Sequence, residues 1–146
     1  MFQTILVCSD GSEGALKAAE AAAFLAKQSD ACLLLLIVQD STKDLSAYVM
    51  PWQLESGDLR PLPDPDAEQA IGLKKTTDLL DNAGVPYVFL HERGHPAAQI
   101  VRVAEREAVD LIVMGCRGRS GLASLVLGSV SAHVVRHAHC SVFIAR

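Results

Sequence analysis

ACLLLLIV, residues 31–38, is an unbroken apolar run. A membrane-spanning helix takes about 20 apolar residues, so this run is too short to cross a bilayer. It shows no alternation of apolar and polar positions, and therefore no wet face. The reading that fits is a strand covered on both sides, as in parallel sheets sandwiched between helices. Four further apolar stretches match it: QTILVCS (3–9), VPYVFLHE (85–92), DLIVMG (110–115) and SVFIA (141–145). Helical patterns lie between them. SEGALKAAEAAAFLAKQS (12–29) opens on Ser12 and sets Ala15, Leu16, Ala19, Ala22 and Ala23 on one face. DAEQAIGLKKTTDLLDNAG (66–84) carries Ala70, Leu73, Thr77 and Leu80 and stops at Gly84. PAAQIVRVAEREAV (96–109) has proline in its first turn and presents Ile100, Val103, Ala104 and Ala108, and SVSAHVVRHA (129–138) is the last helix. Strands alternating with helices build parallel βαβ units, so the expected class is α/β with helices on both faces of one sheet.

The 146 residues suit a single domain over 1–146. The formal charge of −4 gives no general attraction to nucleic acid or to anionic lipid. No secretory leader is visible in MFQTILVC, and the four cysteines (8, 32, 116 and 140) lack C-x-x-C spacing. Three of them sit in or beside apolar runs, where cysteine acts as a small buried hydrophobe. Cys116, between Gly115 and Arg117, is the candidate for a reactive thiol. This usage suits a reducing cytoplasm, with no membrane and no nucleic-acid partner. The polar, proline-rich segment 39–66 interrupts the βα alternation without ending it, and reads as a long connection holding Tyr48 and Trp52.

HERGH (91–95) spells the zinc-protease signature H-E-x-x-H, which needs a helix to bring both histidines to one metal. The preceding VPYVFL is a strand pattern. In an extended chain the two rings stand about 13 Å apart, at about 3.3 Å per residue. Gly94 and Pro96 also break a helix here, so the match is read as a strand-end turn. His133 and His137 do share a helix face, a two-ligand spacing with no third ligand fixed by the sequence. No metal site is expected.

The stretch richest in chemistry is MGCRGRSGLASLVLGSVSAHV (114–134). A buried strand runs into a glycine-rich loop, and Gly128 then opens a helix. Such loops bring backbone N–H groups close to phosphate oxygens, and a helix start favours an anion. The spacing Gly115-x2-Gly118-x9-Gly128-Ser129 resembles the ATP-binding signature of the universal stress protein family. ILVCSDGSEGALKAAEAAAFLA resembles that family's first strand and helix. RGHPAAQIVRVAEREAVDLIVMGCRGRSG resembles its Gly-x-Pro turn, third helix, fourth strand and glycine loop. The resemblance leaves out mainly the 39–66 connection.

The resemblance implies a doubly wound five-stranded parallel sheet of order 3-2-1-4-5, adenine nucleotide alpha hydrolase-like, with an adenine nucleotide where strands one and four part. That is also where ligands sit in open α/β sheets. Carried over by position, Cys8, Ser9 and Asp10 flank the nucleoside, Asp10 accepting from ribose hydroxyls. Val38 meets the adenine. Met114 and Gly115 line the sugar, and Gly118, Arg119, Gly128, Ser129 and Val130 surround the phosphates. The implied cofactor is ATP, alone or with Mg2+. The implied partner is a second copy, paired through the C-terminal edge strand at residues 140–146. Ser141 departs from the proline common before the family's last strand.

The expected role is a cytoplasmic stress-response protein whose contacts depend on bound nucleotide. The alternatives are an enzyme that hydrolyses ATP slowly or transfers a nucleotidyl group, and a nucleotide-free dimeric interaction module. For an enzyme, the chain lacks H-x-G-H near strand one, G-x-x-x-x-G-K-[ST], and S-G-G-x-D-S near residues 9–14. No positioned base for a water at a γ-phosphate is legible either. A phosphoacceptor receiver domain lacks its acidic cluster at strand one.

Overall fold

The structure, a computed structural model, describes residues 1–40, 67–118 and 127–146. Its elements run β1 (Thr4–Cys8), α1 (Glu13–Ser29), β2 (Cys32–Asp40), α2 (Ala67–Ala83), β3 (Tyr87–Gly94), α3 (Pro96–Arg106), β4 (Leu111–Gly115), α4 (Ser129–His137) and β5 (Ser141–Ala145). The strands form one five-stranded sheet of order β3-β2-β1-β4-β5, every pair parallel. The expected class and strand order are both present.

The alternation of side chains along each strand feeds two cores. Ile5, Val7, Leu33, Leu35 and Val113 pack under α1 and α2 with Ala18, Ala22 and Leu80. Leu6, Leu34, Leu36, Ile112 and Met114 pack under α3 and α4 with Ile100, Val103 and Val134. ACLLLLIV therefore has one helical layer on each side, as its composition requires. Each fully buried leucine or isoleucine here stabilises the fold by about 1.5–3 kcal/mol.

Helix α1 begins where Ser12 accepts a hydrogen bond from the Ala15 N–H at 3.2 Å. It ends at Asp30, whose left-handed backbone (φ 54°) lets its N–H bond back to the Ala26 carbonyl. Its buried residues are all alanines, Ala15, Ala18, Ala19, Ala22, Ala23 and Ala26. Small side chains bring the helix axis close to the sheet.

Three expectations are corrected. The buried stripe of α2 holds Gly72, Thr76 and Leu80, while Leu73 and Thr77 are only partly covered. The helix is thus rotated from the apolar reading, because Gly72 seats against the turn after β1. Helix α3 stops at Arg106 rather than running to residue 109. Ala108 takes a left-handed conformation (φ 49°), and the Val109 N–H closes on the Ala104 carbonyl at 2.9 Å. That turn drops Val109 into the core. Cys32, expected inside, is exposed at the start of β2. The 39–66 connection lies, beyond residue 40, outside the described residues.

Asp110 fastens the start of the sheet. Its Oδ2 accepts from the N–H groups of Gln3 (2.7 Å) and Thr4 (2.8 Å). The Thr4 and then the Gln3 bond hold its carboxyl below the usual range. A depressed folded pKa adds stability above the unfolded value, about 3.9, and that stability disappears as pH falls through the folded pKa. The melting-temperature gap between wild type and Asp110→Asn is therefore expected to be widest near neutrality and to close on acidification below about pH 4.

Candidate functional site

β1 and β4 lie side by side at the centre of the sheet, yet their following helices pack on opposite faces. In open α/β sheets this divergence marks where a crevice forms, at the C-terminal ends of the two strands. On the β1 side, the Ser9 N–H donates to the Leu36 carbonyl at 3.0 Å and continues the sheet by one residue. The Ser9 hydroxyl is buried and lies 3.0 Å from the Thr76 hydroxyl of α2. Asp10 Oδ1 accepts from the Ser12 N–H at 3.0 Å, so the carboxylate braces the turn into α1. Its other oxygen faces the second half of the site: a Cβ added at Gly118 would sit 2.8 Å from Asp10 Oδ2.

On the β4 side, Gly115 lies against the first turn of α1. A Cβ there would come within 2.8 Å of the Gly14 carbonyl carbon and 3.0 Å of its oxygen. Two glycines facing each other let the backbones touch and form the floor of the crevice. The Cys116 carbonyl then accepts from the Gly128 N–H at 2.7 Å and the Ser131 hydroxyl at 2.9 Å. These two bonds tie together the ends of the glycine-rich loop. Ser131 also reaches the Gly128 carbonyl at 3.0 Å, which fixes the first turn of α4. The N–H groups of Ser129, Val130 and Ser131 belong to that first turn and have no partner within the helix. They add the positive end of the helix dipole to the loop.

Among the residues singled out by sequence, Asp10 and Gly118 meet across the crevice. Gly115, Gly128 and Ser129 flank it, with Ser129 exposed. Val38, Val130 and Met114 pack into or against the core under α3 and α4. Cys8 belongs to that core as well, and burial, then the Asp10 charge, then Cys140 push its thiol up to about 12. Cys8 is therefore a packing residue with its proton held on. Ser9 directs its hydroxyl towards α2. Arg119 lies outside the described residues.

Sequence reading passed over Gly14, Ser131, Gly72 and Thr76. Gly14 had a usable signal, since glycine in the first turn of an alanine-rich helix forgoes about 1 kcal/mol of propensity. Thr76 had none, because its partner is 67 positions away.

HERGH runs along β3 through Gly94, and His95 precedes α3, so no helix spans the match. His133 and His137 stack at 4.1 Å between ring centroids, with His95 at 6.5 Å from His133. The His137 Nδ1 lies 2.8 Å from the His133 carbonyl. Among the described residues no group of three or more His, Cys, Asp or Glu is placed to hold a metal ion. No helix among them is long and apolar enough to cross a membrane. A separate surface hollow, lined by Ala104, Val109, His139 and Cys140 among others, lies at the opposite end of the strands.

Comparison with known proteins identifies the family. The model of the universal stress protein family matches residues 1–146. A universal stress protein of Methanocaldococcus jannaschii is 34% identical over 151 residues, covering 100% of this chain and 83% of that protein. One from Bacillus subtilis is 35% identical over 153 residues, with 100% of each chain covered. A crystal structure of a universal stress protein in complex with cAMP superposes with a TM-score of 0.70 at 26% identity, covering 99% of this chain and 97% of that one.

Proposed function

The chain belongs to the universal stress protein family, and on that premise we propose that it binds ATP where β1 and β4 part and acts as a nucleotide-dependent sensor or regulator. The observation that carries this reading is the pairing of two unlike groups across one crevice. Asp10 Oδ2, an acceptor suited to ribose hydroxyls, faces Gly118 at the start of a loop whose far end opens into the first-turn N–H groups of α4, which have no partner within the helix. A neighbour at 26% identity holds an adenine nucleotide, cAMP, which supports the ligand class.

Among the described residues nothing demands glycine at 128. Its φ of −70° is open to any residue, and an added Cβ meets nothing nearer than 3.4 Å among the described residues. Close approach of a phosphate accounts for the choice. In this reading Ser129 and Val130 offer N–H groups to the phosphates, and the exposed Ser129 hydroxyl donates alongside them. Gly115 and Met114 line the sugar, and Val38 meets the base. Arg119 supplies charge from the loop. ATP binds alone or with Mg2+, which the phosphate oxygens would hold. Bound nucleotide stabilises the native state by mass action, about 2.7 kcal/mol at a concentration 100 times Kd. Occupancy can thereby be read as a change in stability.

The 1–146 chain acts in this reading as one domain, in the cytoplasm, as a homodimer joined along β5. Phe143 is 42% exposed on that edge strand and gives it an apolar contact. Titration calorimetry with ATP, ADP, AMP and GTP tests the ligand. One-to-one binding of ATP in preference to GTP, lost in Gly128→Val, with no turnover over hours, is the expected result. Multiple turnover would instead make the protein an enzyme, and no binding by the folded chain would leave an interaction module.

A further inference from the structure

A buried chain of hydrogen bonds links the turn that carries Asp10 to helix α2. The Thr76 hydroxyl donates to the Gly72 carbonyl at 2.9 Å. A threonine hydroxyl has one proton, so in the 3.0 Å contact between the two hydroxyls Ser9 is the donor and Thr76 the acceptor. Ser9 Oγ in turn accepts from the Gly11 N–H at 3.3 Å. With the Thr76 proton on the Gly72 carbonyl, the order runs from Gly11 N–H to Ser9 to Thr76 to the Gly72 carbonyl. Thr76 is wholly buried and Ser9 nearly so, so neither bond is exchanged for water. Beside this chain α2 touches the same turn directly: a Cβ at Gly72 would lie 2.2 Å from Gly11 Cα and from its carbonyl oxygen. Asp10 sits between the two residues held in this way. Its own brace, the Ser12 N–H, is on the far side of the turn.

We infer that Thr76, supported by Gly72, is a positioning residue for the nucleotide site, setting through Ser9 and Gly11 the direction in which Asp10 presents its carboxylate. Among the described residues, α2 meets the turn after β1, on the ribose side of the proposed site, while α4 offers its first-turn N–H groups on the phosphate side. The inference rests on the proposed adenine-nucleotide site, and two ligands separate the fate of one from the other. ATP offers ribose hydroxyls to Asp10; 2′,3′-dideoxy-ATP offers none and keeps the base and phosphates.

Calorimetry on the full chain compares wild type, Thr76→Val and Thr76→Ser with both ligands. Thr76→Val keeps the shape and removes the hydroxyl. It is expected to weaken ATP by about tenfold while leaving dideoxy-ATP unchanged, the size of one hydrogen bond to a charged group. Thr76→Ser restores the hydroxyl and is expected to bind ATP within about twofold of wild type. Equal weakening of both ligands in Thr76→Val would mean general loosening and would overturn the role, as would unchanged ATP binding beside a lowered melting temperature. A wild-type chain that binds neither ligand overturns the proposed function, and this role with it.

Discussion

Gly72→Ala is expected to lower the melting temperature by about 4–8 °C, although the same change in an ordinary helix interior raises stability. The two contributions can be weighed. Alanine gains about 1 kcal/mol over glycine in helix propensity. Against this, the new methyl lands 2.2 Å from the Gly11 Cα and carbonyl oxygen, far inside contact distance and against backbone that cannot rotate away. Overpacking of a buried site costs about 3 kcal/mol where the neighbours cannot yield. The net loss is about 2 kcal/mol, and for a chain of this size each kcal/mol is worth about 2–4 °C. Thermal unfolding of the two proteins at one pH checks it. A variant as stable as wild type, or more so, would show that α2 does not seat on the turn after β1.

Gly118→Val is expected to do the opposite: to leave the melting temperature nearly unmoved and to weaken ATP by about 10- to 100-fold. Among the described residues the only atom a Cβ at 118 meets is Asp10 Oδ2, at 2.8 Å. This is the far end of a side chain, which turns aside at little cost to the fold. In the proposed site, turning aside removes from the crevice the Asp10 carboxylate offered to the ribose. A hydrogen bond to a charged group is worth about 1.5–3 kcal/mol, which sets the range. Paired measurements of melting temperature and ATP affinity separate this from a folding defect. Equal affinity in the variant would remove Asp10 and Gly118 from the site.

The contrast between these two glycines shows what was legible in the sequence. Gly118 stood in a spaced motif after a buried strand, which singled it out, although the motif did not name Asp10 as its neighbour. Gly72 stood in a helix between Ile71 and Leu73, where an apolar stripe suggested a different buried face. Its reason is a backbone 61 positions earlier, which no periodicity reports. The sheet was legible for a simpler cause. ACLLLLIV lacks any polar position to turn to water, and in the structure Leu33, Leu35 and Leu36 are almost wholly buried. Helix ends were less so, since α3 stops on an alanine in a left-handed conformation, a choice that glycine would have announced. The side-chain ties at the crevice, Ser131 to Cys116 and Ser9 to Thr76, join segments whose proximity exists only after folding.

The most direct test of a nucleotide seated between β1 and β4 is a titration of 15N-labelled protein with ATP, followed by amide NMR. The expected result is a set of saturating shifts at Asp10, Gly118, Ser129 and Val130, with little change at Glu105 and His139 at the other end of the strands. Shifts confined to that other end, or none at millimolar ATP in a folded chain, would contradict the account.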